Sequence, residues 1–365
     1  MSAADPTIPV LDLSASSTDL TRQLCDIESV SGNEKTVTDA IEASLAGLDH
    51  LELFRNGDAL VARTNLGLDR RVVIAGHIDT VPLNNNLPTR YETIDGREYL
   101  WGRGTVDMKA GVAVQLKLAA ELTAPAVDVT WIWYDHEEVS ESLNGLGRLA
   151  REHPELLAGD FAILGEPTNS QIEGGCNGNL RAEVRTFGLR AHSARAWVGR
   201  NAIHDAAPIF AALAAYVPRE VEVEGLVYRE GLNAVGVTGG IAGNVIPDEC
   251  MVHVNYRFAP SRSGAQAEAH VREIFDGFEV TIVDLAEGAT PGLTDPLAQH
   301  FLEAVGGEAK PKYGWTDVAR FSALGMPAVN YGPGDPLKAH ADDERVALDQ
   351  IEDCERGLRA WLIAS

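Results

Sequence analysis

The chain of 365 residues has only four cysteines, and they are too far apart to form a recognisable motif. They are Cys25, Cys176, Cys250 and Cys354. No CxxC pair and no zinc-ribbon spacing occurs, so neither a disulfide framework nor a cysteine metal site is indicated. We expect reduced and mostly buried thiols, as in a cytoplasmic protein.

Basic residues are also scarce: the chain has 30 Lys and Arg against 54 Asp and Glu, which gives a net charge of −24. Nucleic acids and anionic membranes are polyanions, so neither is an expected partner. The longest quasi-apolar segment, residues 206–217, is too short to span a bilayer. The N-terminus shows neither a basic region nor an apolar region of a signal peptide, which again favours the cytoplasm.

The length of the chain favours two domains. Strands and helices alternate up to about residue 180 and again from about residue 293, which predicts a three-layer α/β domain. Residues 180–292 follow a β-α-β-β-α-β order, which is typical of a ferredoxin-like α+β domain. The predicted division is therefore 1–179 with 293–365 for one domain and 180–292 for a domain inserted into it.

Four local expectations follow from turn, helix and strand signals. Strands near residues 51–54 and 60–64 are predicted to form a hairpin around Asn56-Gly57. Residues 82–100 are predicted to be a loop, because they are rich in Asn and Pro. Residues 201–217 are predicted to form one helix. In the strand 249–258, alternate residues are predicted to be core, leaving Arg257 on the free face.

Polar residues follow the predicted strands of the α/β domain. The strand Val72–Ala75 leads into His77 and Asp79, the strand Val129–Tyr134 leads into two adjacent glutamates, and a third strand ends just before Glu166. Ligand sites gather at the carboxyl ends of strands in such sheets. Taken singly, each residue also has a structural interpretation, such as a turn histidine or a solvated loop.

Two further residues complete a set of metal-binding types. Asp107 precedes a predicted helix that begins near Met108, where a plain N-cap is the alternative role, and His340 lies in a loop near the C-terminus. The set is His77, Asp107, Glu138, Glu166 and His340. Mixed imidazole and carboxylate ligands suit Zn²⁺, with Co²⁺ or Mn²⁺ able to substitute. Five ligands suit two ions that share a bridging carboxylate.

The glycines at 102 and 104 do not indicate a phosphate loop, since neither GxGxxG nor GK[ST] occurs. Instead, four ordered segments resemble the signatures of the di-zinc amidohydrolase and aminopeptidase superfamily. These segments are Gly76–Pro82, Trp101–Lys109, Glu137-Glu138 and Gly165–Pro167. The resemblance implies a three-layer α/β/α zinc-peptidase-like catalytic domain with an inserted ferredoxin-like lid and dimerisation domain.

The resemblance also implies roles for the site residues. Asp107 would bridge two zinc ions, His77 and Glu166 would complete one site, and Glu138 and His340 would complete the other. Asp79 would orient His77, and Glu137 would be the general base. His192 would stabilise the oxyanion from the partner subunit of a homodimer, with a surface loop histidine as the alternative. The implied substrate contacts are Arg257, Asn244 and Thr316, and for Arg257 a structural ion pair is the alternative.

The inserted segment narrows the resemblance to one branch of the superfamily. Residues 191–197, 201–204, 231–235 and 239–248 resemble the actinobacterial succinyl-diaminopimelate desuccinylases. The chain has Cys176-Asn177-Gly178 where the proteobacterial enzymes have an arginine-containing turn, so that arginine is not carried over. Deacylation of another N-acyl amino acid, such as acetylornithine, or cleavage of a dipeptide is the nearest alternative. A metal-binding protein without catalysis is the more distant one.

Overall fold

The computed structural model describes residues 8–364, and these residues fall into two compact units. The first unit comprises the chain up to Gly174, Gly292–Lys310 and the residues from Arg320 on. The second comprises Gly175–Pro291 and Pro311–Ala319. Residues 311–319 lie in the second unit because their partners are there: the Asn177 N–H donates to the Lys312 carbonyl, and the Trp315 ring N–H donates to the Glu287 carbonyl. The sequence had placed this segment with the catalytic domain.

Over residues 8–364 the helices are α1 (Ser17–Cys25), α2 (Lys35–Leu45), α3 (Lys109–Glu121), α4 (Gly145–Glu152), α5 (Ala202–Asp205), α6 (Ala207–Ala215), α7 (Gly264–Ile274), α8 (Pro296–Val305), α9 (Val318–Ala323) and α10 (Leu348–Ile363). The strands are β1 (Glu52–Asn56), β2 (Ala59–Arg63), β3 (Arg71–His77), β4 (Arg90–Ile94), β5 (Arg97–Trp101), β6 (Asp128–Tyr134), β7 (Phe161–Leu164), β8 (Glu173–Gly174), β9 (Gly178–Phe187), β10 (Ala191–His192), β11 (Glu220–Val223), β12 (Leu226–Arg229), β13 (Gly231–Gly239), β14 (Val245–Ile246), β15 (Glu249–Phe258), β16 (Glu279–Ala286), β17 (Lys310–Pro311), β18 (Ala328–Asn330) and β19 (Arg345–Ala347). None of the helices within 8–364 combines the length and the hydropathy that a membrane span requires.

The first unit is built on an eight-stranded sheet with the order β1-β2-β6-β3-β7-β18-β8-β17. Its central strands β6, β3, β7 and β18 are parallel to one another. Alternate residues of β3, such as Val72 and Ile74, join one large apolar cluster with α1, α2, α3 and α10. Val73 and Ala75 face the other way and are also fully buried. A sheet buried on both faces explains the continuous apolar runs, and the predicted α/β class is confirmed.

A second sheet of three strands, in the order β19-β5-β4, was not predicted. The expected loop at 82–100 is wrong, because β4 and β5 form a hairpin whose two-residue turn is Asp95-Gly96. Both turn residues have positive φ, 51° and 80°, as the commonest hairpin turn requires. β19 pairs with β5 and so brings the segment after His340 next to residues 99–101.

Two other local predictions need correction. The first hairpin turns at Gly57-Asp58 rather than at Asn56-Gly57, because Asn56 still pairs with Ala59. The helix predicted over 201–217 divides into α5 and α6 at Ala206. Pro208 has no N–H to donate, so the chain starts a new helix there instead of continuing the old one.

The second unit contains a four-stranded antiparallel sheet in the order β13-β15-β9-β16. α5 and α6 connect β9 to β13, and α7 connects β15 to β16, which is the predicted ferredoxin-like order. On β15 the residues Val252, Val254, Tyr256 and Phe258 are buried with the helices. The opposite face of the strand carries half-buried polar side chains, including Arg257.

One glycine contact sets the distance between α3 and the end of β7. A Cβ added to Gly111 would overlap the Gly165 carbonyl oxygen, well inside van der Waals contact. We expect Gly111→Ala to lower the free energy of unfolding by about 1–3 kcal/mol through overpacking, even though alanine favours helix by about 1 kcal/mol. Urea unfolding measures this change. Gly47→Ala is the control, since nothing lies within 4 Å of its added Cβ, and equal unfolding midpoints for the two variants would contradict the prediction.

Candidate metal centre

The parallel strands of the first unit end at one edge of the sheet. His77 is the last residue of β3 and pairs in register with Tyr134, the last residue of β6. On the other side of β3, Ala75 pairs with Leu164, the last residue of β7. The side chains that follow β6 and β7, those of Glu137, Glu138 and Glu166, are therefore delivered to the same edge as His77.

Asp107 and His340 reach this edge from loops. Asp107 lies two residues before α3, and Met108 precedes the helix without a side-chain cap. The N-cap alternative for Asp107 is therefore not observed. One of its carboxylate oxygens, Oδ1, is 3.1 Å from His77 Nε2, and the other, Oδ2, is 3.3 Å from His340 Nε2. His340 Nε2 also lies 2.9 Å from Glu138 Oε1.

The donor atoms form two groups that share Asp107. His77, Asp107 and Glu166 offer ligand atoms within 4.8 Å of one another, and so do Asp107, Glu138 and His340. Because Asp107 turns one oxygen toward each histidine, it stands between the two groups. Two imidazoles and three carboxylates in this arrangement fit a pair of divalent cations such as Zn²⁺, Co²⁺ or Mn²⁺.

The electrostatics of the centre favour positive charge. Burial alone would lower the pKa of His77, but hydrogen bonds to Asp107 and Asp79 raise it well above its ordinary value. Hydrogen bonds to Asp107 and Glu138 raise the pKa of His340 to about 10. Burial opposes ionisation of Asp107, yet its contacts with His340 and His77 hold its pKa well below the usual range. Asp107 thus stays ionised and attracts cations, whether protons or metal ions. Burial raises the pKa of Glu138 above its ordinary value despite the hydrogen bond to His340.

Asp79 lies beneath the centre and joins its two halves. Its side chain is 0% exposed. Oδ1 accepts the Glu137 N–H at 3.0 Å, and Oδ2 accepts the Glu138 N–H at 3.1 Å. His77 Nδ1 lies 3.1 Å from the Asp79 carbonyl oxygen and 3.4 Å from Oδ1. Asp79 therefore contacts the His77 ring through both its carbonyl and its carboxylate, and it fixes the backbone of the two glutamates.

The segment between α1 and α2 supports Asp79. Ser31 Oγ donates to Asp79 Oδ2 at 2.6 Å, and Ser29 Oγ donates to the Ile78 carbonyl at 2.6 Å. Glu34 accepts the Gly32 N–H at 2.9 Å. In the sequence, this segment shows only two serines and a glutamate around a glycine, between two amphipathic helices. That pattern does not identify Asp79 as their partner.

The remaining predicted site residues belong to the second unit. His192 and Asn244 lie at the small β10–β14 pair, where His192 is opposite Val245 and the Asn244 carbonyl accepts the Ser193 N–H at 2.9 Å. Thr316 is buried, and its carbonyl lies 3.7 Å from Cys176 Sγ. Arg257 is on β15, with its Nε 3.3 Å from Asn255 Oδ1. Among residues 8–364 no carboxylate pairs with Arg257, so the alternative role in a structural ion pair is not observed.

Comparison with known proteins places this geometry in a family. A Corynebacterium glutamicum succinyl-diaminopimelate desuccinylase is 49% identical over 97% of this chain and 98% of its own length. A Mycobacterium tuberculosis protein named for the same activity, DapE, is 51% identical over 97% of this chain and 99% of its own. The crystal structure of a Staphylococcus aureus tripeptidase superposes with a TM-score of 0.77 at 20% identity, covering 97% of this chain and 98% of the other. The model of peptidase family M20/M25/M40 matches residues 73–364, and the chain belongs to that family.

Proposed function

We propose that this protein hydrolyses the amide of N-succinyl-LL-2,6-diaminoheptanedioate to succinate and LL-2,6-diaminoheptanedioate, a step in diaminopimelate and lysine biosynthesis. The observation that carries the proposal is the pair of donor groups that share Asp107. The substrate follows from the two relatives that match nearly the whole chain and carry that activity in their names. Because both relatives also align across the second unit, the likeness is not confined to the metal-binding motifs.

The proposed cofactors are two Zn²⁺ ions for each subunit, with Co²⁺ or Mn²⁺ able to substitute. His77 and Glu166 would hold one ion, Glu138 and His340 the other, and Asp107 would bridge them. When bound, such ions lower the pKa of a water molecule and polarise the amide carbonyl. The support is geometric, since all five residues present ligand atoms in two compact groups.

Glu137 is the proposed general base. It lies with His77 and Glu138 in a third group of close carboxylate and imidazole atoms, and Asp79 fixes its backbone N–H. From this position Glu137 accepts a proton from the attacking water and returns it to the departing amine.

His192 is the proposed oxyanion donor, supplied by the partner subunit. Its Nδ1 accepts the Ala194 N–H at 3.1 Å. In a neutral imidazole the other nitrogen then carries the proton, so Nε2 is available to donate to the carbonyl oxygen as negative charge develops there.

Arg257, Asn244 and Thr316 are the proposed contacts for the carboxylate and amide groups of the substrate. Burial and the neighbouring Arg181 lower the pKa of Arg257. Among residues 8–364 no carboxylate pairs with this guanidinium, so an anionic ligand would supply the missing counter-charge.

The proposed location of the enzyme is the cytoplasm, and neither nucleic acid nor membrane is a proposed partner. The four free, buried cysteines suit a reducing compartment.

A homodimer through the second unit completes the proposal. β13 is an edge strand, and its Val235 and Val237 are 65% and 52% exposed. Exposed apolar residues on a long edge strand invite pairing with another strand. A second copy of the same edge satisfies the backbone groups of both chains and gives a two-fold symmetric contact.

The substrate is tested by succinate release from N-succinyl-LL-2,6-diaminoheptanedioate beside acetate release from N-acetylornithine and cleavage of a dipeptide. We expect the zinc-loaded protein to turn over the succinylated substrate at least about 100-fold more efficiently than the others, because a site built for several carboxylates penalises their absence. EDTA should abolish the activity, and added Zn²⁺ should restore it. Turnover of acetylornithine or the dipeptide alone would leave the metal chemistry standing and refute the proposed substrate.

The role of Glu137 is tested with Glu137→Gln, which keeps the shape of the side chain and removes its basicity. We expect kcat to fall by about 10²–10⁴-fold, with the bound metal content unchanged. Metal analysis and steady-state kinetics measure the two quantities. Glu155→Gln, at an exposed glutamate of the same unit, should behave as wild type. Near-normal turnover of the metal-loaded Glu137 variant would show that another group is the base.

The dimer is tested with Val237→Lys, which places a charge on the β13 edge. We expect sedimentation to show a monomer whose activity is reduced by about 100-fold or more, the usual effect of losing one oxyanion donor. Val283→Lys on β16, at the opposite edge of the same sheet and 53% exposed, is the matched control and should stay dimeric. A monomeric wild type with full activity would refute both the dimer and the proposed route of His192.

A further inference from the structure

A buried ion pair lies behind the metal centre and takes no part in the proposed chemistry. Arg103 and Glu344 are 4% and 1% exposed, and Arg103 Nη1 is 2.7 Å from Glu344 Oε2. The pairing of β5 with β19 brings the two residues together, since the Gly102 N–H donates to the Glu344 carbonyl at 3.0 Å. Sequence reasoning had given no role to either residue.

The pair contacts the two loop segments that carry Asp107 and His340. Glu344 Oε1 accepts the Val106 N–H at 2.9 Å and the Asp107 N–H at 3.1 Å. On the other side, Arg103 Nη2 lies 3.4 Å from the His340 carbonyl, and Nη1 lies 3.4 Å from the Ala341 carbonyl. One ion pair thus holds the backbone of two metal-ligand segments.

We propose that Arg103 and Glu344 are positioning residues that fix the distance between Asp107 and His340. This inference rests on the two-ion centre proposed above. In one donor group, His77 ends β3 and Glu166 lies just after β7, so both residues are positioned by strands of the sheet. The other depends on His340, whose backbone has φ of 62° in a loop and whose side chain is 53% exposed. The pair therefore matters mainly for the ion held by Asp107, Glu138 and His340.

If the role of the pair were purely structural, its loss would lower stability without changing metal affinity. Asp128 offers a matched control for this comparison. Asp128 is likewise buried and accepts backbone N–H groups, those of Leu66, Gly67 and Leu68. It also faces an arginine, since Arg71 Nη2 is 3.6 Å from Asp128 Oδ2. Asp128 begins β6, at the end of the sheet opposite to the metal centre. Asp128→Asn therefore removes a comparable buried charge far from the ligands.

The experiment is calorimetric titration of the metal-free protein with Zn²⁺, repeated with Co²⁺ while its visible absorption is followed. We expect wild type to bind two ions. Glu344→Gln should weaken the ion held by Asp107, Glu138 and His340 by about 10–100-fold, as loss of an outer partner of metal ligands does. It should weaken the other ion less, because Asp107 is the only ligand of that ion that the pair contacts. Arg103→Lys, which keeps the charge, should weaken the first of these ions less than Glu344→Gln does. Asp128→Asn should lower Tm and keep both affinities.

The outcomes separate this inference from the proposed function. A wild type that binds fewer than two ions would overturn the two-ion centre and this inference with it. Two ions in wild type and unchanged affinities in Glu344→Gln would overturn the inference alone. Equal weakening of both ions would also overturn it, as would similar losses in Asp128→Asn. If Glu344→Gln does not fold, Arg103→Lys decides by the same criteria.

Discussion

The candidate metal centre depends on the hydrogen bonds that the buried carboxylate of Asp79 accepts. It follows β3, yet it accepts the backbone N–H groups of Glu137 and Glu138, which follow β6. An ionised carboxylate at 0% exposure is tolerated only because these donors, Ser31 Oγ and the His77 ring compensate the loss of water. Burial would raise its pKa, and the contact with His77 keeps it below the ordinary value instead. One charged group thereby contacts a proposed ligand histidine and fixes the backbone of a proposed ligand glutamate and of the proposed base.

The other residues of the candidate centre are positioned in two ways, some by strand ends and one by a loop. His77 ends a parallel strand that is buried from Val72 onward, and Glu166 follows another, so the sheet itself sets their spacing. His340 has no such strand behind it and reaches Asp107 from a loop. The pairing of β5 with β19, with the Arg103–Glu344 pair at its end, positions this loop. The central sheet positions His77 in the same way. Removing one partner of a buried pair leaves an uncompensated charge, which is strongly destabilising.

The sequence was informative where local pattern and topology agree. Apolar β-branched runs followed by His77, Glu138 and Glu166 identify parallel strand ends, and parallel strands bring their ends to one edge wherever the sheet forms. The Asp95-Gly96 hairpin was also readable, but the Asn and Pro content before it favoured a loop. Contacts between distant segments were beyond this reasoning. Nothing local in Arg103 indicates a partner 241 residues away, and nothing in Ser31 indicates Asp79. Residues 311–319 join the second unit through hydrogen bonds to distant segments, which no linear pattern reveals.

The strongly acidic character of the chain has a consequence for an anionic substrate. With a net charge of −24, the protein as a whole repels carboxylates, and the ionised residues of the centre would add to that repulsion. Divalent cations bound by these residues would invert the local field, so the same side chains that would exclude the substrate would come to attract it. Metal loading would then govern substrate binding as well as the reactivity of water. The elements that hold Asp107 and His340 in place would therefore influence the affinity for substrate through the ions.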